Sequence, residues 1–417
     1  MAEPTRPFKK VLIIGAGPSG LLLAVLLSKH GIPIEILEAE DHLNSEPRAA
    51  VYGTPAIPEF VRAGLMDEIK ARGIILNSMC WRDPDTHEII AGFDSEKVLQ
   101  DVDGVDMRAH TLVLQDLVQL MLDRVTGEYG GAIRWKHKVV EVGQDGETAW
   151  VDVETPEGRK RVEGDYVVGC DGANSAVRKS LFGNEFPGFT WDAQIIATNT
   201  YYDFAGKFGW QDANFIIHPE HFFMATRITK DNLYRITYGE SASLTKDEYI
   251  ARQPWKFTHM LPGHPSPSEY TLVSMSPYKM HQRCAPSFRV GRVLLAADAA
   301  HICNPWGGLG ITGGFVDIGG LYDCLAGIYD GKADESILDL YSEKRIEKWK
   351  TVIDPISQDN FRRVRDADPK TRFERDEWMQ QLKKGEEDEG FLKELLLGFM
   401  EVRYDFTQHY KKGESEV

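Results

Sequence analysis

Glycines at positions 15, 17 and 20, set directly behind the apolar run Val-Leu-Ile-Ile of residues 11–14, restrict this chain more than any other feature. The run predicts a short buried strand, and the apolar residues 21–27 predict a helix packed on it. In such a strand–turn–helix unit Gly15 permits the tight turn, Gly17 lets a pyrophosphate approach the backbone, and Gly20 lets helix and strand pack closely. Pro18 and Ser19 fall at the helix N-terminus, whose free N–H groups and positive dipole end suit phosphate. A second strand over residues 34–37 ends on Glu38, eighteen residues after Gly20, where a dinucleotide fold needs a carboxylate for a ribose hydroxyl. Strand, glycines, helix, strand and terminal acid together predict a dinucleotide-binding α/β unit.

The chain has 417 residues, room for two or three core-bearing units. A formal charge of −16 argues against nucleic acid or an anionic membrane as a partner. Five scattered cysteines with no C-x-x-C pair predict reduced core thiols and no metal site. No stretch approaches the ~20 apolar residues of a membrane span, and the start carries no apolar signal core. A cytoplasmic protein is expected.

Beyond the first unit, Arg48 lies in a polar loop and Gln115 near the start of an amphipathic helix over 112–125. Residues 133–162 read as a small β-meander. A strand over 166–168 ends before Asp171-Gly172, with Ser175 and Arg178 in the helix that follows; an acid at a strand's C-terminal end faces the crevice where open α/β sheets bind ligands. Residues 194–276 alternate as a largely antiparallel, aromatic-rich sheet, a natural pocket wall. The chain then returns to a buried strand over 293–296 that ends near Asp298. A glycine-dense loop follows, Pro305-Trp306-Gly307-Gly308-Leu309-Gly310-Ile311-Thr312-Gly313-Gly314, and leads into a helix reaching residue 329. Glycine in a helix costs about 1 kcal/mol relative to alanine, so Gly313, Gly314, Gly319 and Gly320 need a reason, and close approach to a flat cofactor supplies one. The helix N-terminus would face a developing anion. His301 is expected to pack or bond locally. The tail is charged and helical, with an apolar cluster over 391–400 expected to pack on the body.

Three motifs, the glycines of 15–20, Asp171-Gly172 and the stretch 291–298, resemble in order and spacing the single-component flavoprotein monooxygenases of the p-hydroxybenzoate hydroxylase fold, phenol hydroxylase-like branch. The glycine-rich loop is similar to that of fungal secondary-metabolism members. The resemblance implies a Rossmann-type α/β FAD-binding domain (1–77, 107–190 and 286–341) interleaved with a mostly antiparallel substrate domain (78–106 and 191–285), plus C-terminal helices (342–417). It implies non-covalent FAD held by Gly15, Gly17, Pro18, Ser19, Gly20 and Glu38, by Arg48, Gln115 and Asp171, and by Asp298 at the ribityl chain. Gly308, Leu309, Gly310, Ile311 and Thr312 would lie along the flavin ring. Two features depart from the family: Ala297 replaces the usual glycine before the aspartate, and Leu309 and Thr312 replace glutamine and asparagine. The implied reaction uses NADPH or NADH as a transient reductant and O₂, and a flavin C4a-hydroperoxide hydroxylates or epoxidises an electron-rich aromatic. Pro305 and Trp306 would sit at the oxygen-reacting face, with Trp306 read equally as a shield or as a core anchor. Tyr202, His218, Arg227 and Tyr238 are the candidate substrate-pocket residues. A monomer or homodimer is expected. A halogenase, whose Trp-x-Trp-x-Ile-Pro motif is absent, a reductase of the same fold, and a non-catalytic flavin-binding protein are the alternatives.

Overall fold

The computed structural model describes residues 7–44 and 49–411. Its first sheet has six strands in the order Arg289–Val290, Val293–Leu295, Tyr166–Gly169, Val11–Ile14, Ile34–Leu37 and Ala132–Arg134. All pairs are parallel except the first. Val11–Ile14 and Tyr166–Gly169 are buried along their whole length, as strands covered on both faces must be. The helices Pro18–Lys29 and Leu309–Tyr329 pack on this sheet and on each other.

The second sheet has eight strands. Thr271–Cys284, Gly188–Tyr201, Leu233–Glu240, Phe223–Arg227, Ala213–Ile216, Ser78–Arg82 and Ile89–Asp94 follow the short His301–Ile302 in that order. Only Ala213–Ile216 against Ser78–Arg82 is parallel. One face is sealed by the helix Lys246–Met260, whose Tyr249, Phe257 and Met260 join Ile196, Tyr234 and Ile236 of the sheet in a separate core. The other face borders the central cavity. A three-stranded meander, Lys138–Gln144, Ala149–Thr155 and Gly158–Gly164, stands where the sequence predicts it. Residues 91–99 finish the strand Ile89–Asp94 and form the short helix Glu96–Leu99, and 100–106 are irregular.

The C-terminal helices Asp354–Val364, Glu377–Gly385 and Glu389–Leu397 share the main core through Phe361, Leu382, Leu392 and Leu396. All five cysteines are free thiols. Among the described residues, no helix is long and apolar enough to cross a membrane.

Candidate active site

A cavity of about 1520 Å³ is bordered by residues of both sheets and the C-terminal helices. At one end lies the glycine turn. Gly15 has φ +102°, and a side chain there would press within 2.6 Å of the Cys170 carbonyl oxygen. A side chain at Gly20 would collide with the Gly15 carbonyl, whereas one at Gly17 would meet nothing within 4 Å, because Gly17 opens on the cavity. Pro18 and Ser19 line it too, and the helix Pro18–Lys29 starts with no side-chain cap. Its first N–H groups are therefore left for a ligand. Glu38 lines the same end and braces the turn: its Oε2 accepts the Ala16 N–H at 2.7 Å, and its Oε1 accepts the Glu40 N–H at 3.0 Å.

Asp298 follows the strand Val293–Leu295. It is exposed toward the cavity between the buried Ala297 and Ala299. Beyond it Pro305, Trp306 and Gly308 lead into Leu309–Tyr329, a second helix with no side-chain cap, and Leu309, Gly310, Ile311 and Thr312 of its first turn line the cavity. Side chains built at Gly308 or Gly310 would meet nothing within 4 Å. Thr312 is partly committed, since its Oγ1 accepts the Gly53 N–H at 3.1 Å. The glycines deeper in this helix face protein, contrary to expectation. A Cβ would meet Ile353 at Gly313, Ala297 at Gly314, the Glu59 carboxylate at Gly319 and Phe406 at Gly320. They admit packing partners, and in this stretch only Gly308 and Gly310 open on the cavity.

Asp171 lines the cavity, but its carboxylate is spent on the following helix: Oδ1 accepts from Ser175 Oγ at 2.5 Å and Oδ2 from the Ala176 N–H at 2.6 Å. Burial raises its pKa against these hydrogen bonds. Gln115 is exposed, and Leu114 and Val118 of its helix supply the cavity wall instead. Arg48 lies outside the described residues. Two uncapped helix N-termini, two acids that follow strand ends and three open glycines around one cavity fit a dinucleotide.

The four pocket candidates stand away from this cavity. Side chains alternate faces along a strand, so a row of the sheet lines the cavity or faces the helix Lys246–Met260. Ala197, Thr237, Met224, Phe215 and Trp81 pair across one cavity-facing row, and Arg235, Thr226, Ala213, Met79 and Phe93 across the next. Tyr238 and Arg227 are one residue out of register with these rows. Tyr238 packs edge-on against Phe257, and Arg227 pairs with Asp212 at 2.6 Å. Tyr202 follows the end of its strand and donates to the Pro262 carbonyl at 2.5 Å. His218 follows the end of another, and its Nδ1 accepts the backbone N–H groups of Glu220 and His221.

The cavity-facing side chains form an aromatic slot. Trp81 and Phe215 stack with centroids 5.4 Å apart at 18°. Trp306 is 2% exposed, lies 6.5 Å from Phe215, meets Phe222 edge-on at 5.2 Å and stacks with Phe361 at 6.2 Å. Arg235, half-buried, adds a guanidinium whose Nε donates to Asn199 Oδ1 at 2.8 Å. The C-terminal helices close the far side with Asn360, Arg363 and Trp378, and Phe399 follows them there. Arg363 is buried and held by Asp376 (Nε–Oδ2 2.6 Å), with its guanidinium 5.8 Å from the Trp81 ring. No motif marks these residues. Strand alternation would have found Arg235 once one neighbour's facing was known.

The chain is 36% identical over 388 residues to para-nitrophenol 4-monooxygenase of Pseudomonas sp. (strain WBC-3), covering 93% of this chain and 94% of that protein. It is 35% identical over 359 residues to 6-hydroxy-3-succinoylpyridine 3-monooxygenase HspB of Pseudomonas putida, covering 85% and 89%. The crystal structure of p-nitrophenol 4-monooxygenase PnpA from Pseudomonas putida superposes with a TM-score of 0.87 at 33% identity, over 94% of this chain and 98% of that one. Residues 9–355 match the FAD binding domain family, and the chain belongs to that family as a FAD-dependent monooxygenase.

Proposed function

We propose that the substrate is a single-ring phenol or hydroxypyridine with an electron-withdrawing group para to its hydroxyl, and that oxygen enters at the carbon bearing that group. The observation that carries this reading is the aromatic slot. Trp306 opens the loop that would border the flavin and also belongs to the Trp81–Phe215 wall, so a flat ring in the slot would lie beside the cofactor. The two relatives support the position: each name puts the oxygenated carbon at the substituent opposite the hydroxyl, C4 of nitrophenol and C3 of the succinoylpyridine. A larger secondary-metabolite substrate has the glycine-rich loop alone as its support.

Gly17 and the first turn of Pro18–Lys29 would hold the FAD phosphates, Glu38 and Asp298 its hydroxyls, and residues 308–312 its ring. Bound FAD supplies the redox and oxygen-transfer chemistry, with NAD(P)H as reductant. The chain's own residues do the rest. The slot orients the substrate ring, and the C-terminal helices exclude water. Arg235 places a positive charge on the slot wall, which favours an ionised phenol over a neutral one. Arg235→Met should therefore move the acidic limb of the kcat profile, which reports the enzyme–substrate complex, to higher pH for a phenol that titrates in the assay range. An unmoved limb would take Arg235 away from the substrate oxygen. The free thiols fit a reducing, cytoplasmic setting.

The experiment is a substrate panel followed by NAD(P)H oxidation, H₂O₂ and product mass. With 4-nitrophenol, atom balance requires one O₂ and one NAD(P)H per nitrite, quinone and water formed. Nitrite release in that ratio is expected; ring hydroxylation with the nitro group retained would overturn the position. The holoenzyme should be yellow and should release all its flavin into the supernatant on acid precipitation. Flavin remaining in the pellet would establish a covalent bond instead.

A further inference from the structure

We propose that Asp317, in the middle of the helix Leu309–Tyr329, is a positioning residue for the cofactor: it fixes the turn at Ala297 that presents Asp298 to the cavity. The inference rests on the reading of Asp298 as a cofactor ligand. Asp317 itself is fully buried and does not line the cavity, so it acts through its partners.

Ala297 sits at φ +55°, a left-handed conformation that a residue with a Cβ avoids. Something must hold it there. Its N–H donates to Asp317 Oδ2 at 2.9 Å, and the same oxygen lies 2.7 Å from His301 Nε2. The other oxygen accepts from Arg345 Nε at 2.6 Å, and Arg345 Nη1 reaches the Val402 carbonyl at 2.5 Å. The carboxylate is thus oriented from three sides, and Arg345 compensates its charge. Burial alone would raise the Asp317 pKa, but His301 and Arg345 outweigh it and take it down to about 2, so the acceptor stays ionised. The turn is braced from its other side by Arg178, whose Nη1 donates to the Ala299 carbonyl at 2.9 Å. The helix also makes room for it, since a Cβ at Gly314 would stand 2.8 Å from the Ala297 Cβ. Ala297 and Ala299 are buried and fixed, and Asp298 between them is the exposed residue.

The test measures FAD affinity, by fluorescence of flavin released on diluting holoenzyme, beside the holoenzyme Tm. Asp317→Asn should weaken FAD binding at least tenfold. Adding Ala297→Gly should restore most of that affinity, because glycine adopts the turn unaided, while leaving Tm as low as in Asp317→Asn alone. A residue that merely stabilises the fold predicts the reverse, with affinity following Tm and no specific rescue. Asp317→Asn leaves a buried arginine uncompensated, so a second series keeps the charges intact. Gly314→Ala should weaken FAD at least tenfold by pushing on Ala297, and Gly314→Ala with Ala297→Gly should recover it, since the colliding Cβ is gone. Unchanged FAD affinity in Asp317→Asn overturns the proposal, as does failure of Ala297→Gly to rescue. If Asp317→Asn does not fold, unchanged affinity in Gly314→Ala overturns it. Loss of FAD in both series with no effect of Asp298→Ala would overturn the reading of Asp298 instead.

Discussion

Asp298→Ala is expected to cut FAD affinity ten- to a hundredfold while leaving the fold intact. A carboxylate hydrogen-bonded to hydroxyls contributes ~1.5–3 kcal/mol, which is one to two decades of Kd. The fold should tolerate the change because the Asp298 side chain faces the cavity, and the packing of the turn is carried by Ala297 and Ala299. Flavin fluorescence gives the affinity, and Tm measured at saturating FAD gives the stability. An unchanged Kd would remove Asp298 from the cofactor site.

Trp306→Ala is expected to be the most damaging substitution in the slot. Read from sequence, this indole is either a shield over the reacting face or a core anchor. Its 2% exposure and its contacts with Phe222, Phe361 and Phe215 make it an anchor that also forms a wall. Truncation removes a bridge between sheet and C-terminal helices at a cost of ~3–5 kcal/mol, so Tm and FAD occupancy should fall together. Trp306→Phe separates the two roles. A phenyl ring keeps the stacking partner but leaves a gap at the slot, so Tm should change little while the H₂O₂ formed per NAD(P)H consumed rises. A Trp306→Ala protein with native Tm would refute the anchor, and an unchanged H₂O₂ ratio in Trp306→Phe would refute the wall.

The turn at residues 15–20 was legible in the sequence because its constraints are local: Gly15 answers to a tight turn, Gly20 to a packed helix, and Gly17 opens on the cavity, while Asp298 follows the end of its own strand. The substrate half was not legible, because a β-strand offers its two faces to opposite environments with equal ease. Choosing Tyr238 over Thr237, or Arg227 over Thr226, requires a register that only the partner strands fix. The helix glycines illustrate a third case. The sequence reads Gly314, Gly319 and Gly320 as room for a flat cofactor; the structure fills that room with Ala297, Glu59 and Phe406, and two of those partners lie far away along the chain. Arg363 and Trp378 carried no signal, being ordinary residues of charged helices until folding sets them on the slot, and the apolar cluster over 391–400 did not say that its Phe399 would reach the cavity.

The wall contributed by Asn360, Arg363, Trp378 and Phe399 has a consequence for the order of synthesis. During translation these residues leave the ribosome after the glycine turn, both sheets and the 305–312 loop. At about 5–20 residues per second, the glycine turn and the 305–312 loop are out for several seconds before the last wall arrives. In that interval the nascent chain presents a cleft open on one side, with its aromatic slot in contact with water. A chain stalled before residue 354 would lack this wall and leave the aromatic slot open to water on that side.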